Sequence, residues 1–277
     1  MLDRLRRWLQ AQSQPDAHPR PTLVHDGDTL ELRFARNVGQ SRMACSDPDR
    51  LLIAYTRTML AALVLQPRPQ RIGVVGLGGG SQVKYLYRHL PDAAIEVVEI
   101  NPHVLARRDD FHVPPDDARL QVIQADAADF LALSRQRGRY DLLLVDGYDA
   151  TGIPAALSTQ AFYECCRDAL RPDGVFSSNL YCDDHAEHVA RLQIAFGVQH
   201  VCVLDEPAQS NRVAFALREE SASAQRLEAN VRALPTAIRM DLQAELARLM
   251  HAVAGLQDEA ASSWVWGVHN AGRGDDD

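Results

Sequence analysis

The chain has 277 residues, 46% hydrophobic and 24% charged, which suits one large globular domain with appendages. A formal charge of −8 speaks against a nucleic-acid partner, because counterion release needs a basic face. No apolar run approaches the ~20 residues that span a bilayer, so no membrane association is expected.

Met1 to Gln12 carries Arg4, Arg6 and Arg7 with no apolar core behind them, which speaks against a secretory signal. Leu2, Leu5, Trp8 and Leu9 predict a short docked or frayed amphipathic helix. Residues 1–21 as a whole are expected to be a flexible lead-in. Residues 22–66 are predicted to form an N-terminal β segment and a linking helix. Thr22 to Met43 suits short strands about a His25-Asp26-Gly27-Asp28 hairpin turn. Ser46 or Asp47 is expected to cap a helix through Leu51, Tyr55, Met59 and Leu63, ended by Pro67 and Pro69.

Residues 67–218 read as a nucleoside-binding domain. Strands are predicted near 71–76, 94–99, 119–124, 140–146, 174–180, 199–204 and 211–217. Helices are predicted between them, near 80–90, 102–110, 127–136, 158–171 and 184–196. Such alternation specifies a mostly parallel sheet covered on both faces. Asp205 to Ser210 leaves no room for a helix, so the last two strands form an antiparallel hairpin. This is the α/β layout of a class I S-adenosylmethionine-dependent methyltransferase (Rossmann-like) fold with a seven-stranded sheet. Residues 219–277 are expected to add a helical extension, marked by Leu227, Val231, Leu234, Leu242, Leu246, Leu249 and Val253, and a disordered acidic tail.

The most informative stretch is Ile72 to Gly80, a β-branched run that feeds a glycine cluster and then a helix from Ser81. Gly76, Gly78 and Gly80 let a ligand approach the backbone, and the helix start offers it unpaired N–H groups. The next strand ends in Glu99, placed for ribose hydroxyls. Ligands of open α/β sheets bind outside the strands' carboxyl ends. Asp126, Asp146 and Asp149 are predicted there too, so four strand ends deliver an acid or a glycine turn to one rim. Taken singly, Asp126 is as well explained as a helix N-cap and Asp146 as a loop residue.

Two other features are weighed at this point. Asp183, Asp184, His185, Glu187 and His188 crowd into six residues, but acids in a first helical turn satisfy the helix dipole, so no metal is expected. The cysteines Cys45, Cys165, Cys166, Cys182 and Cys202 lack metal-type C-x-x-C spacing and predict reduced thiols in the cytoplasm.

These motifs resemble those of the polyamine aminopropyltransferase family, best known through spermidine synthase. The resemblance covers roughly residues 22–218 and is clearest from Tyr55 to Asn179. The family's glycine motif corresponds to Gly76–Ser81, its ribose-binding acid to Glu99 and its adenine-side acid to Asp126. Its Asp-Ser-Ser-Asp-Pro signature corresponds to Asp146-Gly147-Tyr148-Asp149-Ala150, and Phe162-Tyr163 and Leu170 to Gly174 also match. Val38 to Met43 is similar to a segment of bacterial members, with Gln40 in reach of the donor's ribose. The resemblance implies decarboxylated S-adenosylmethionine (or S-adenosylmethionine) as co-substrate and a small cationic amine as acceptor. It implies Asp146 as the base, Tyr55 as the residue that orients the amine, and Asp149 as the acid for a far ammonium group. A homodimer stays open.

Three departures mark a divergent branch. Gly79 stands where the family carries an aspartate, Thr56 replaces a glutamine, and Asp205 to Ser210 replaces a proline-tyrosine-proline segment. Asp205 or Glu206 is a candidate to restore the lost acidic character. Two alternatives follow: a methyltransferase that uses the intact donor, and a non-catalytic nucleoside-binding protein, favoured if Tyr55 lies buried away from Asp146.

Overall fold

The structure, a computed structural model, describes residues 18–35, 38–148, 152–206, 211–218 and 223–255. The predicted amphipathic helix at residues 1–12 and the acidic tail lie outside the described residues.

The chain opens with an antiparallel sheet of β1 (Thr22–Asp26), β2 (Thr29–Ala35) and β3 (Val38–Ala44), in that order. Asp26 pairs with Thr29 across a two-residue turn, in which Gly27 takes the left-handed φ of 55° that a side chain disfavours. Helix α1 (Ala54–Leu60) starts later than predicted, with Ile53 as a cap that makes no side-chain hydrogen bond. Ser46 does not cap this helix: its hydroxyl and its N–H both donate to the Asp28 side chain. From α1 the chain tightens into a 3₁₀ turn, Ala61–Val64.

The large sheet contains β4 (Arg71–Val75), β5 (Ala94–Glu99), β6 (Leu120–Gln124), β7 (Tyr140–Val145), β8 (Leu170–Leu180), β9 (Val201–Asp205) and β10 (Arg212–Leu217). Their spatial order is β6-β5-β4-β7-β8-β10-β9. Strands β4 to β8 pair in parallel, whereas β10 runs antiparallel to both β8 and β9, which it separates. This is the seven-stranded α/β arrangement expected of the class I methyltransferase fold.

Alternation along the central strands sends side chains to two distinct cores. Ile72, Val74, Leu142 and Leu144 face α1, helix α2 (Ser81–His89) and the C-terminal helices. Val75, Leu143 and Val145 face the opposite layer of α4 (Ala127–Leu131), α5 (Gln160–Ala169) and α6 (His185–Phe196). Helix α3 (Pro102–Leu105) is shorter than the predicted 102–110, and α4 gives way to a 3₁₀ turn at Ser134–Gln136. Helices α7 (Ala224–Ala233) and α8 (Thr236–Asp241) and a helix over 243–255, α9, seat Leu227, Leu234, Leu242, Leu246, Leu249 and Val253 in the first core. Among the described residues no helix is long and apolar enough to cross a membrane.

Candidate active site

The carboxyl ends of β4, β5, β6 and β7 meet at a cavity of about 530 Å³. Gly76 leaves β4 with φ 87°, and a Cβ there would lie 2.3 Å from the Asp146 carbonyl oxygen. Only glycine lets the ends of β4 and β7 approach so closely. Gly78, at φ 51°, would drive a Cβ to 2.5 Å from the Ser41 hydroxyl. Gly80 does not line the cavity; it is the left-handed N-cap of α2.

Glu99 is buried at the end of β5. Its Oε2 accepts from the Leu77 N–H at 2.9 Å and its Oε1 from the Asn101 N–H at 2.8 Å. Burial pushes its pKa up, while backbone N–H groups, Leu77 foremost, pull against that rise. The carboxylate also lines the cavity, where a diol can reach it as a donor. Asp126 is both things the sequence allowed. It caps α4, its Oδ1 accepting from the Ala128 N–H at 2.8 Å, and it lines the cavity.

Asp146, at the end of β7, lines the same cavity and is held in a side-chain network. Its Oδ2 accepts from the Tyr55 hydroxyl at 3.0 Å and its Oδ1 from the Asn179 amide at 3.0 Å. Asn179 is oriented in turn by the Asn211 amide, which donates to its Oδ1 at 2.8 Å. Burial pushes the Asp146 carboxyl above its ordinary pKa, against the pull of Asn179 and Tyr55. The Tyr55 ring packs against the first core while its hydroxyl reaches the acid. The condition that would favour a non-catalytic protein is therefore not met.

Sequence reasoning missed Asn179, Asn211, Ser41 and His18, all of which line the cavity. Ser41 stands beside the singled-out Gln40, and its hydroxyl accepts from the Gly79 N–H at 2.9 Å. Nothing in the local pattern marks Asn179 or Asn211, single amides at the ends of neighbouring strands. Gln40 belongs to β3, but its side chain lies outside the described ones, and Asp149 lies outside the described residues altogether.

The departures have structural correlates. Thr56 lines the cavity, its hydroxyl donating to the Ile53 carbonyl at 2.6 Å. Gly79 is absent from the wall: a Cβ there would meet the Phe111 ring at 2.8 Å. Neither Asp205 nor Glu206 restores acidity. Asp205 pairs with Arg212 at 2.8 Å, and buried Glu206 accepts from the Thr58 hydroxyl at 2.6 Å, away from the cavity lining. Tertiary pairing with Thr58 and Arg248 (3.7 Å) turned Glu206 inward.

A cavity with a glycine-lined backbone, two acids on its strand-end rim and a buried carboxylate held by a phenol and an amide can seat a nucleoside and accept a proton. Three comparisons bear on the site. A family model described as the spermine/spermidine synthase domain matches residues 53–208. A polyamine aminopropyltransferase from Chromobacterium violaceum is 36% identical over 170 residues, a stretch that spans 61% of this chain and 64% of that protein. One from Neisseria meningitidis is 31% identical over 239 residues, 83% of this chain and 89% of the relative. The crystal structure of a probable spermidine synthase from Corynebacterium glutamicum has the same fold, with a TM-score of 0.63 at 18% identity over 81% of this chain and 91% of that one.

Proposed function

The chain belongs to the spermine/spermidine synthase family, and on that premise we propose that it moves an aminopropyl group from decarboxylated S-adenosylmethionine to a small cationic amine. The observation that carries this reading is Asp146, a buried carboxylate on the cavity wall whose two oxygens are fixed by Tyr55 and Asn179. A protonated alkylamine, with a pKa near about 10, has no lone pair for attack. Asp146 takes its proton, and Tyr55 and Asn179 hold the carboxylate in place for that transfer. The amine nitrogen then bonds to the methylene beside the donor's sulfonium as the carbon–sulfur bond breaks. That electron pair stays on sulfur, leaving methylthioadenosine.

A sulfonium is already a good leaving group, so alignment and deprotonation are the main tasks and the step calls for no Lewis acid. In this reading Glu99 and Gln40 take the donor's ribose, Asp126 the adenine amino group, and Gly76 and Gly78 the backbone-proximal end. Asp149 takes a far ammonium. The setting is cytoplasmic, in keeping with free thiols at all five cysteines.

Calorimetric titration with S-adenosylmethionine, its decarboxylated form and methylthioadenosine tests the reading. Binding of the last two and not the first is expected, with methylthioadenosine released on addition of an amine. Tight binding of the intact donor with methyl transfer to the acceptor would establish a methyltransferase instead.

A further inference from the structure

Where β8 runs into α6, three metal-ligating side chains converge outside the catalytic network. The Cys182 Sγ, an Asp184 carboxylate oxygen and a His188 ring nitrogen all lie within 4.8 Å of one another. From the sequence, the cluster Asp183 to His188 reads as a helix-dipole feature with no metal. In the fold His185 turns to Arg212, 3.3 Å from its Nη1, and Cys182 stands beside His188.

His188 is 1% exposed. Its Nδ1 lies 2.5 Å from the Tyr163 hydroxyl, while Nε2 stands 3.7 Å from Asp184 Oδ1, beyond hydrogen-bond reach. That nitrogen faces the Asp184 carboxylate, to which the Cys182 thiol is itself hydrogen-bonded, so three potential ligands already converge. The Tyr163 hydroxyl can donate or accept, so it fixes the ring in either tautomer. Metal-binding histidines are held in the same manner through their second nitrogen.

We propose that Cys182, Asp184 and His188 bind a thiophilic divalent cation of the zinc type, with a fourth position open to water. A thiolate, an imidazole and one carboxylate are the ligands that favour zinc over magnesium or calcium. Thiolate and carboxylate together carry two negative charges, matching the ion. Tetrahedral bonds of ~2.0–2.3 Å set ligand atoms about 3.5 Å apart. From separations within 4.8 Å the trio needs small side-chain rotations to reach that spacing, for which Asp184, with a side chain 56% exposed, has room. The nearby guanidiniums do not compete for the carboxylate: Arg191 pairs with Glu187 and Arg212 with Asp205, each at 2.8 Å. The site adjoins the cavity, since Cys182 follows Tyr181, whose N–H donates to the Tyr148 hydroxyl at 2.6 Å.

The test uses the full chain, stripped of metal by a chelator and titrated with zinc against a chromophoric competitor and, separately, with cobalt. One equivalent should bind, with a thiolate-to-cobalt absorption band. Cys182→Ser should abolish the band and weaken zinc binding tenfold or more, Asp184→Asn should weaken binding, and Cys45→Ser should change neither. Both decisive positions are half-buried or exposed, so these variants fold even if His188→Gln does not. Absence of zinc binding by the folded chain, or a cobalt–thiolate band that survives Cys182→Ser, overturns the proposal.

Discussion

Tyr55 and Asp146 are 91 positions apart in the chain and 3.0 Å apart in space, hydroxyl to carboxylate. Burial and the adjacent acid push the Tyr55 phenol well above its ordinary pKa, so it remains a donor to Asp146 across the working range. Asp146→Asn should therefore retain methylthioadenosine binding and lose about 10²–10⁴-fold in turnover, the usual worth of a general base. Tyr55→Phe removes one hydrogen bond to a charged group, about 1.5–3 kcal/mol, and should cost at least tenfold. Methylthioadenosine release measures both; near-normal rates in Asp146→Asn would remove the acid from the mechanism.

The pH profile supplies a second check. Hydrogen bonds from Asn179 and Tyr55 favour the ionised carboxylate, against the burial that raises its pKa. The rate should fall as pH drops through that raised value, because the base is then protonated. Asn179→Ala withdraws one stabilising donor, so the acid limb of kcat/KM should move to higher pH. An unmoved limb would mean that another group titrates there.

For the donor pocket, Glu99→Gln and Asp126→Ala should each weaken methylthioadenosine binding tenfold or more, the loss of a charge-assisted hydrogen bond of about 1.5–3 kcal/mol. Unchanged calorimetric affinity in both folded variants would place the nucleoside elsewhere.

Gly79 cannot simply be returned to the family's aspartate. A Cβ at this position would lie 2.8 Å from Phe111 Cδ1 and 3.0 Å from Ser41 Cβ. Overpacking of that kind costs about 1–3 kcal/mol, so Gly79→Ala and Gly79→Asp should both melt several degrees below the parent chain. With neither Gly79 nor Glu206 supplying a carboxylate to the wall, putrescine should be a poor acceptor in an amine panel. Efficient, exclusive use of putrescine would show that these positions do not govern acceptor choice.

Lys84, the only lysine, is 2% exposed and donates to the Phe111 carbonyl at 2.7 Å. Burial pushes its pKa down to about 8, below the unfolded value of about 10.4. Between those values the unfolded chain binds more protons, so stability rises with pH there. The gain is on the order of 2 kcal/mol once solvent screening is allowed for. Urea melts of the parent chain and Lys84→Met at pH 7 and pH 10 should show the parent gaining relative to the variant. Parallel pH dependence would mean that the amine is solvated in the folded protein.

The sequence alone determined the order of the strands, the parallel run and the glycines and acids at the strands' carboxyl ends, although β8 starts at Leu170, inside the helix predicted over 158–171. These rest on local requirements: apolar strands buried on both faces, glycines at positive φ after β4, and acids where strands end. It misjudged the start of α1, because Ser46 is taken by Asp28 across the hairpin, a contact that no local pattern announces. Only the tertiary structure decided that β10 enters between β8 and β9, and this insertion brings Asn211 against Asn179 and completes the clamp on Asp146. It also turned Glu206 toward Thr58 and set Cys182 beside His188. Such pairings join side chains from separate elements, and closure of the sheet and packing of its two cores, rather than any periodicity along the chain, decide which of them meet.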